Sequence, residues 1–199
     1  TDSIADDFYN NDKKLGMELG NALNEEILAL VESGCKYIQV DEPVFARKSQ
    51  MALDYGIENI ERCFDGVPDH VTRAVHICCG YPNALDSENY LKAPSSAYFE
   101  LAAAMDESSV NAVSIEDAHR PNDLKLLELF KKTSVIIGLI DVAKSRLEES
   151  SEIKQRINNC LEHIDHHRLI AAPDCGLGLL NRKLANAKLK NLCTAAHSV

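Results

Sequence analysis

At 199 residues, 45% of them hydrophobic, the chain has enough apolar material for one domain across 1–199 and too little length for two of ordinary size. Its 31 acidic against 21 basic side chains give a formal charge of -10, which excludes the basic surface that nucleic acid or an anionic membrane would need. No apolar run approaches the roughly 18 residues of a membrane span, and the opening Thr1-Asp2-Ser3-Ile4-Ala5-Asp6-Asp7 is acidic where a signal peptide is basic and then apolar, so a soluble cytoplasmic chain is expected.

In chain order, an amphipathic stretch from Lys14 to Glu32 precedes the β-branched run Tyr37-Ile38-Gln39-Val40. A helix over Ala52 to Cys63 leads to Ala74-Val75-His76-Ile77-Cys78, and one over Ser95 to Met105 leads to Ala112-Val113-Ser114-Ile115. Helices over Asn122 to Lys131 and Glu149 to Ile164 bracket the run from Val135 to Ile140, and Leu169-Ile170-Ala171-Ala172 precedes a last helix over Arg182 to Ala196. Short β-branched runs alternating with helical periodicity every ~30 to 40 residues are the βαβ pattern of an α/β fold with a parallel sheet. A closed barrel needs eight such units and typically ~250 residues; five candidate strands leave an open sheet or a partial barrel.

The strand exits are Asp41-Glu42-Pro43, Cys78-Cys79-Gly80, Glu116-Asp117, Asp141 and Pro173-Asp174-Cys175-Gly176, so each carries a carboxylate, a thiol or both. At any one exit a short polar residue is explained by capping of the next helix. All five together mark the edge where parallel α/β folds bind ligands. His76 and Cys78 stand at i and i+2 of a strand, on one face, where both could reach one ion. Taken alone the pair is equally a core histidine beside a buried thiol. Glu116 and Cys175, at the ends of later strands, would complete a tetrahedral set.

These motifs, in this order and spacing, resemble the C-terminal catalytic barrel of the cobalamin-independent methionine synthase superfamily over nearly the whole chain. The matching residues are Tyr37-Ile38-Gln39-Val40-Asp41-Glu42-Pro43, His76-Ile77-Cys78, Ser114-Ile115-Glu116 and Pro173-Asp174-Cys175-Gly176-Leu177. The resemblance implies a TIM-type (β/α)8 barrel of the methionine synthase and uroporphyrinogen decarboxylase kind, of which this chain holds the C-terminal five βα units. It implies Zn²⁺ on His76, Cys78, Glu116 and Cys175, with Asp41 holding the amino group of a thiol substrate and Glu42 and Arg47 beside it. Asp41, Cys78 and Glu116 would be the catalytic positions. Zinc lowers the pKa of a bound thiol, so a thiolate forms at neutral pH and attacks an electrophilic carbon; Glu116, the hard oxygen donor, would be the ligand that yields. The expected activity is methyl or alkyl transfer to a small thiol, as in 5-methyltetrahydropteroyltriglutamate-homocysteine S-methyltransferases.

Two positions depart from that pattern. Methionine synthases carry a histidine just after the strand-end Asp that Asp141 matches, whereas this chain reads Asp141-Val142-Ala143-Lys144-Ser145-Arg146, with Ala143 and no histidine there, and the glutamate a few residues beyond Asp-Glu-Pro is matched by Arg47. Both point toward the short branch that includes epoxyalkane:coenzyme M transferase, which opens an electrophile with a thiol. A third reading, of a different class, is an inactive zinc-binding fragment that serves as an interaction module. An incomplete barrel exposes two sheet edges and an apolar inner face, so a homo-oligomer or pairing with an N-terminal fragment is expected.

The remaining suggestive residues have plainer readings. An odd count of seven cysteines, several in apolar runs, suits free thiols rather than disulfides. Cys79 is turned away from the metal by alternation, and Cys35, Cys63, Cys160 and Cys193 read as core thiols. His163-Ile164-Asp165-His166-His167 reads as a helix end. His119 could face the mouth or cap a helix. Lys48, Lys144 and Arg146, with Arg47, are cations near two strand ends that would suit an anionic substrate or lie solvated on the surface.

Overall fold

The computed structural model describes residues 5–88 and 90–199. It opens with α1 (Asp12–Glu32), capped by Asn11, whose side chain accepts from Lys14 N at 3.0 Å. Five strands follow: β1 (Tyr37–Glu42), β2 (Thr72–Ile77), β3 (Ala112–Ile115), β4 (Ser134–Gly138) and β5 (Leu169–Ala172). All neighbours are parallel, and the sheet order is the chain order, β1-β2-β3-β4-β5. A doubly wound sheet reverses its strand order at a switch point; a barrel wall does not. The observed order is that of a barrel wall with its two ends, β1 and β5, unpaired among the described residues.

Each crossover is helical, so the carboxyl ends of all strands lie at one rim. Between β1 and β2 the chain passes through α2 (Ser49–Met51), a π-helical turn (Ala52–Gly56) and α3 (Ile57–Cys63). The π turn accommodates Phe45: a Cβ on Gly56 would stand 2.6 Å from the Phe45 Cε1, so the ring lies directly on the backbone there. α4 (Ala97–Glu107) joins β2 to β3, α5 (Ser150–Leu161) joins β4 to β5, and α6 (Arg182–Ala196) ends the chain. The helix expected over Asn122 to Lys131 is instead a 3-10 turn over Leu124–Leu129. At both ends the backbone is held elsewhere, Asn122 N by the Asp117 carboxylate and Lys131, Lys132 and Thr133 N by that of Asp106, which leaves too few residues for α-helical turns.

Strand alternation divides the sheet into two unlike faces. Ile38, Val75, Ile77, Val113, Ile115, Val135 and Ile137 pack beneath the helices against Ile27, Ile60, Leu101, Met105, Ile153, Ile157 and Leu192. The opposite face is polar toward β1 to β3 and apolar toward β4 and β5: register sets Asp41 beside His76, His76 beside Ser114, Ser114 beside Ile136 and Ile136 beside Ile170. Apolar surface is open at both ends of this inner face, with Tyr37 80% and Ile170 45% exposed. All seven cysteines are free; Cys63, Cys79 and Cys160 are buried as expected, but Cys193 is exposed and Cys35 only half-buried. Cys193 lies on the solvent side of α6, whose buried stripe runs through Lys188, Leu192 and Ala195.

Candidate metal centre

The rim gathers His76, Cys78, Glu116 and Cys175 so that one ligand atom from each lies within 4.8 Å of the others. β2 supplies the first two. Cys78 N donates to Glu42 O at 3.3 Å, which carries the β1–β2 ladder one residue past the strand and keeps Cys78 on the His76 face. The buried His76 ring is hydrogen-bonded through Nδ1 to Ser114 Oγ at 2.9 Å. Its Nε2 is buried without a hydrogen-bond partner and stands 4.0 Å from Glu116 Oε1. An imidazole held at one nitrogen with a bare, buried second nitrogen is how metal-ligating histidines are set.

Glu116 is placed by a residue that no sequence pattern singled out. The hydroxyl of Tyr98, on α4, donates to Ile77 O at 2.8 Å and accepts from Glu116 N at 3.0 Å. It wedges between the ends of β2 and β3 and replaces the ladder bond that would otherwise join them. Cys175 follows Asp174, whose carboxylate accepts from the backbone N–H groups of Asp117, Ala118 and His119 at 2.8 to 2.9 Å. His119 reaches the mouth: its Nδ1 lies 3.0 Å from Asp174 Oδ2 and 3.4 Å from Glu116 Oε2, with the side chain 6% exposed.

The electrostatics are those of a cation site with its protons still in place. Cys78 donates to Cys175, which with burial pushes Cys78 up to about 12 and holds Cys175 below the ordinary thiol value. Glu116 is pushed up to about 9, first by burial and then by the charges of Cys78 and Asp174. Burial pulls His76 down, but the Cys78 side chain beside it and the negative charges of Glu116, Cys78 and Asp41 outweigh it and leave the imidazole above its ordinary value. Two sulfurs, one imidazole nitrogen and one carboxylate, of which His76, Cys78 and Glu116 are pushed toward their protonated forms and Cys175 toward its thiolate, fit a tetrahedral, thiophilic dication.

The other candidates are distributed more widely. Asp41 lies across the β1–β2 register from His76, exposed at the mouth, and accepts from Gln39 Nε2 at 3.1 Å. Glu42, the next residue, points toward the helical face by alternation. Arg47 is exposed and turns back on its own loop, donating from Nε and Nη2 to Pro43 O at 3.1 and 2.9 Å. Lys144 pairs with Glu88, and Arg146 pairs with Glu152 at 2.8 Å, so neither is directed at the cluster. A second group, Asp165, His166 and His167, is exposed at the opposite end of the sheet, before β5, where Asp165 caps the 3-10 turn His166–Arg168.

The likenesses to known proteins agree with this site. A methionine synthase from Saccharolobus islandicus is 32% identical over 190 residues, covering 94% of this chain and 51% of that protein. One from Thermococcus kodakarensis is 30% identical over 187 residues, covering 94% and 50%. The chain therefore spans about half the length of the curated relatives it matches. Among solved structures, a B12-independent methionine synthase from Shewanella sp. W3-18-1 superposes with a TM-score of 0.86 at 29% identity, over 96% of this chain and 56% of that one. The family described as cobalamin-independent synthase, catalytic domain, matches residues 4–198, and with a barrel-wall sheet whose rim carries His76, Cys78, Glu116 and Cys175 the chain belongs to that family.

Proposed function

We propose that the chain carries the metal half of a zinc-dependent thiol methyltransferase, with His76, Cys78, Glu116 and Cys175 as ligands. The observation that carries this reading is the buried, unpartnered Nε2 of His76 facing two thiols and a carboxylate. Bound there, zinc supplies the Lewis acidity that keeps a substrate thiol deprotonated at neutral pH. The rest is done by side chains. Ser114 fixes the His76 ring, and Tyr98 sets the separation of the β2 and β3 ends. Cys78, Glu116 and Asp41 are the catalytic positions, and Asp41 forms the substrate side of the mouth, whereas Glu42 turns to the helical face and Arg47 folds onto Pro43 O. Asp41, exposed and one register step from His76, is a carboxylate suited to an ammonium group. The Shewanella relative was solved in complex with selenomethionine, the selenoether analogue of methionine, which supports an amino-acid thiol as acceptor and a methyl donor as second substrate.

The unpaired edges at β1 and β5 and the open inner face favour association, with a second copy of the chain or with an N-terminal fragment that supplies further barrel strands. Elemental analysis of protein purified without added metal tests the central reading. About one zinc per chain is expected, lost in Cys78→Ser and in Cys175→Ser. Folded wild-type protein that neither carries nor takes up zinc overturns it. Given the metal, methyl transfer to homocysteine should fall with Asp41→Asn while zinc content stays at the wild-type level.

A further inference from the structure

β3 and β5 are not neighbours in the sheet, since β4 lies between them. Yet Glu116 comes from the end of one and Cys175 from the end of the other. Something must set their spacing across the intervening strand, and one buried side chain spans it. The Asp174 carboxylate lies over β4 at Gly138. A Cβ at that position would run into Asp174 Oδ1 and stand 2.7 Å from Asp174 Cα, so only glycine leaves room for the crossing. On the far side Oδ1 accepts from Asp117 N and Ala118 N, and Oδ2 accepts from His119 N. These are the three residues that follow Glu116. The His119 ring then turns back so that its Nδ1 lies between Asp174 Oδ2 and Glu116 Oε2.

We propose that Asp174 is the positioning residue of this cluster, fastening the turn after Glu116 to the strand end that carries Cys175 and so setting the distance between two ligands from non-adjacent strands. Four donors share its two oxygens, and each backbone N–H among them is fixed in direction by the turn. An amide in place of the carboxylate would set its NH2 against at least one of those donors. The carboxylate makes no contact of its own with His76 or Cys78, so its influence is confined to the Glu116–Cys175 side of the site. This inference rests on the metal reading above.

Cobalt(II) is the probe, because thiolate-to-metal absorption and the ligand-field bands of tetrahedral Co(II) report the geometry of the ligands without any turnover. Asp174→Asn is compared with wild type and with Asp106→Asn. Asp106 likewise accepts three backbone N–H groups, from Lys131, Lys132 and Thr133, but on the loop that enters β4 at the other end of the sheet. Asp174→Asn is expected to weaken Co(II) binding by about tenfold or more and to shift the ligand-field bands, the usual cost of losing a residue that orients ligands. Asp106→Asn should lose stability while its Co(II) affinity and spectrum stay those of wild type. Should Asp174→Asn not fold, His119→Ala keeps all three backbone bonds and removes only the bridging ring; a several-fold loss of affinity is then expected. Affinity and spectra matching wild type, in Asp174→Asn or in its substitute, overturn the inference. Wild type that binds no cobalt overturns the metal reading itself, and the positioning role with it.

Discussion

Gly138 and Glu116 show how much single residues decide here. Gly138→Ala puts a methyl group into Asp174, whose backbone as well as carboxylate is in the way, so the clash cannot be relieved by a rotamer change. Urea unfolding should show a loss of about 1–3 kcal/mol, the usual range for overpacking. Glu116 and His76 both have folded-state pKa values above their ordinary ones. The metal-free fold therefore holds protons that the unfolded chain releases, and its stability falls as pH rises from the ordinary carboxylate value of 4.5 toward about 9. Unfolding of chelator-treated protein at pH 6 and at pH 8.5 checks the sign, and Glu116→Gln should flatten the slope. The gathering of His76, Cys78, Glu116 and Cys175 at one rim was legible in the sequence because strand alternation and recurrent strand-end positions are sequence properties. Ser114 stood inside the matching Ser-Ile-Glu motif without a role, and His119 was left between mouth and cap, because a hydrogen bond across strands depends on register.

Among the elements, the loop entering β4 is organised by one side chain from the previous helix. Burial pushes the Asp106 carboxyl up, but the N–H groups of Thr133, Lys131 and Lys132 outweigh it, leaving its pKa below the ordinary value. Its contribution is present above the unfolded-state pKa and is lost as pH falls through the lower folded one. Asp106→Ala should cost about 2 kcal/mol at neutral pH, since it orphans buried backbone donors, and the deficit should shrink in acid. The same side chain explains why the helix expected over Asn122 to Lys131 shortened to Leu124–Leu129. The apolar periodicity of Leu124, Leu126, Leu127 and Leu129 was real, and Leu126 and Leu127 are buried. A carboxylate 25 residues upstream of Lys131 took the backbone that a helix would have used. The last helix, by contrast, runs over the expected Arg182 to Ala196, with Asn181 as its cap.

Across the whole molecule, the order of the strands was readable, since all five runs formed strands in one parallel sheet. What was not readable is the buried ion pair that joins the last helix to the rim. Lys188 is wholly buried, and its Nζ donates to both oxygens of Glu148 at 2.9 Å and to Asp141 O at 2.9 Å. Lys188 falls within the helix Arg182 to Ala196, where helical periodicity carries no sign that a lysine is buried. Lys188→Met should destabilise the chain by about 3–5 kcal/mol, because it strands a buried carboxylate; thermal and urea unfolding report it.

Because roughly a hundred residues separate His76 from Cys175, an ion shared by them would close about half of the chain into a single ring. Such a closure acts on the unfolded ensemble as a cross-link does, except that a chelator opens it and free metal remakes it. Cys175 follows every strand of the sheet, so the four residues can share an ion only once all five strands are in place. Retention of the ion would thus report, in one atom, that β5 has docked.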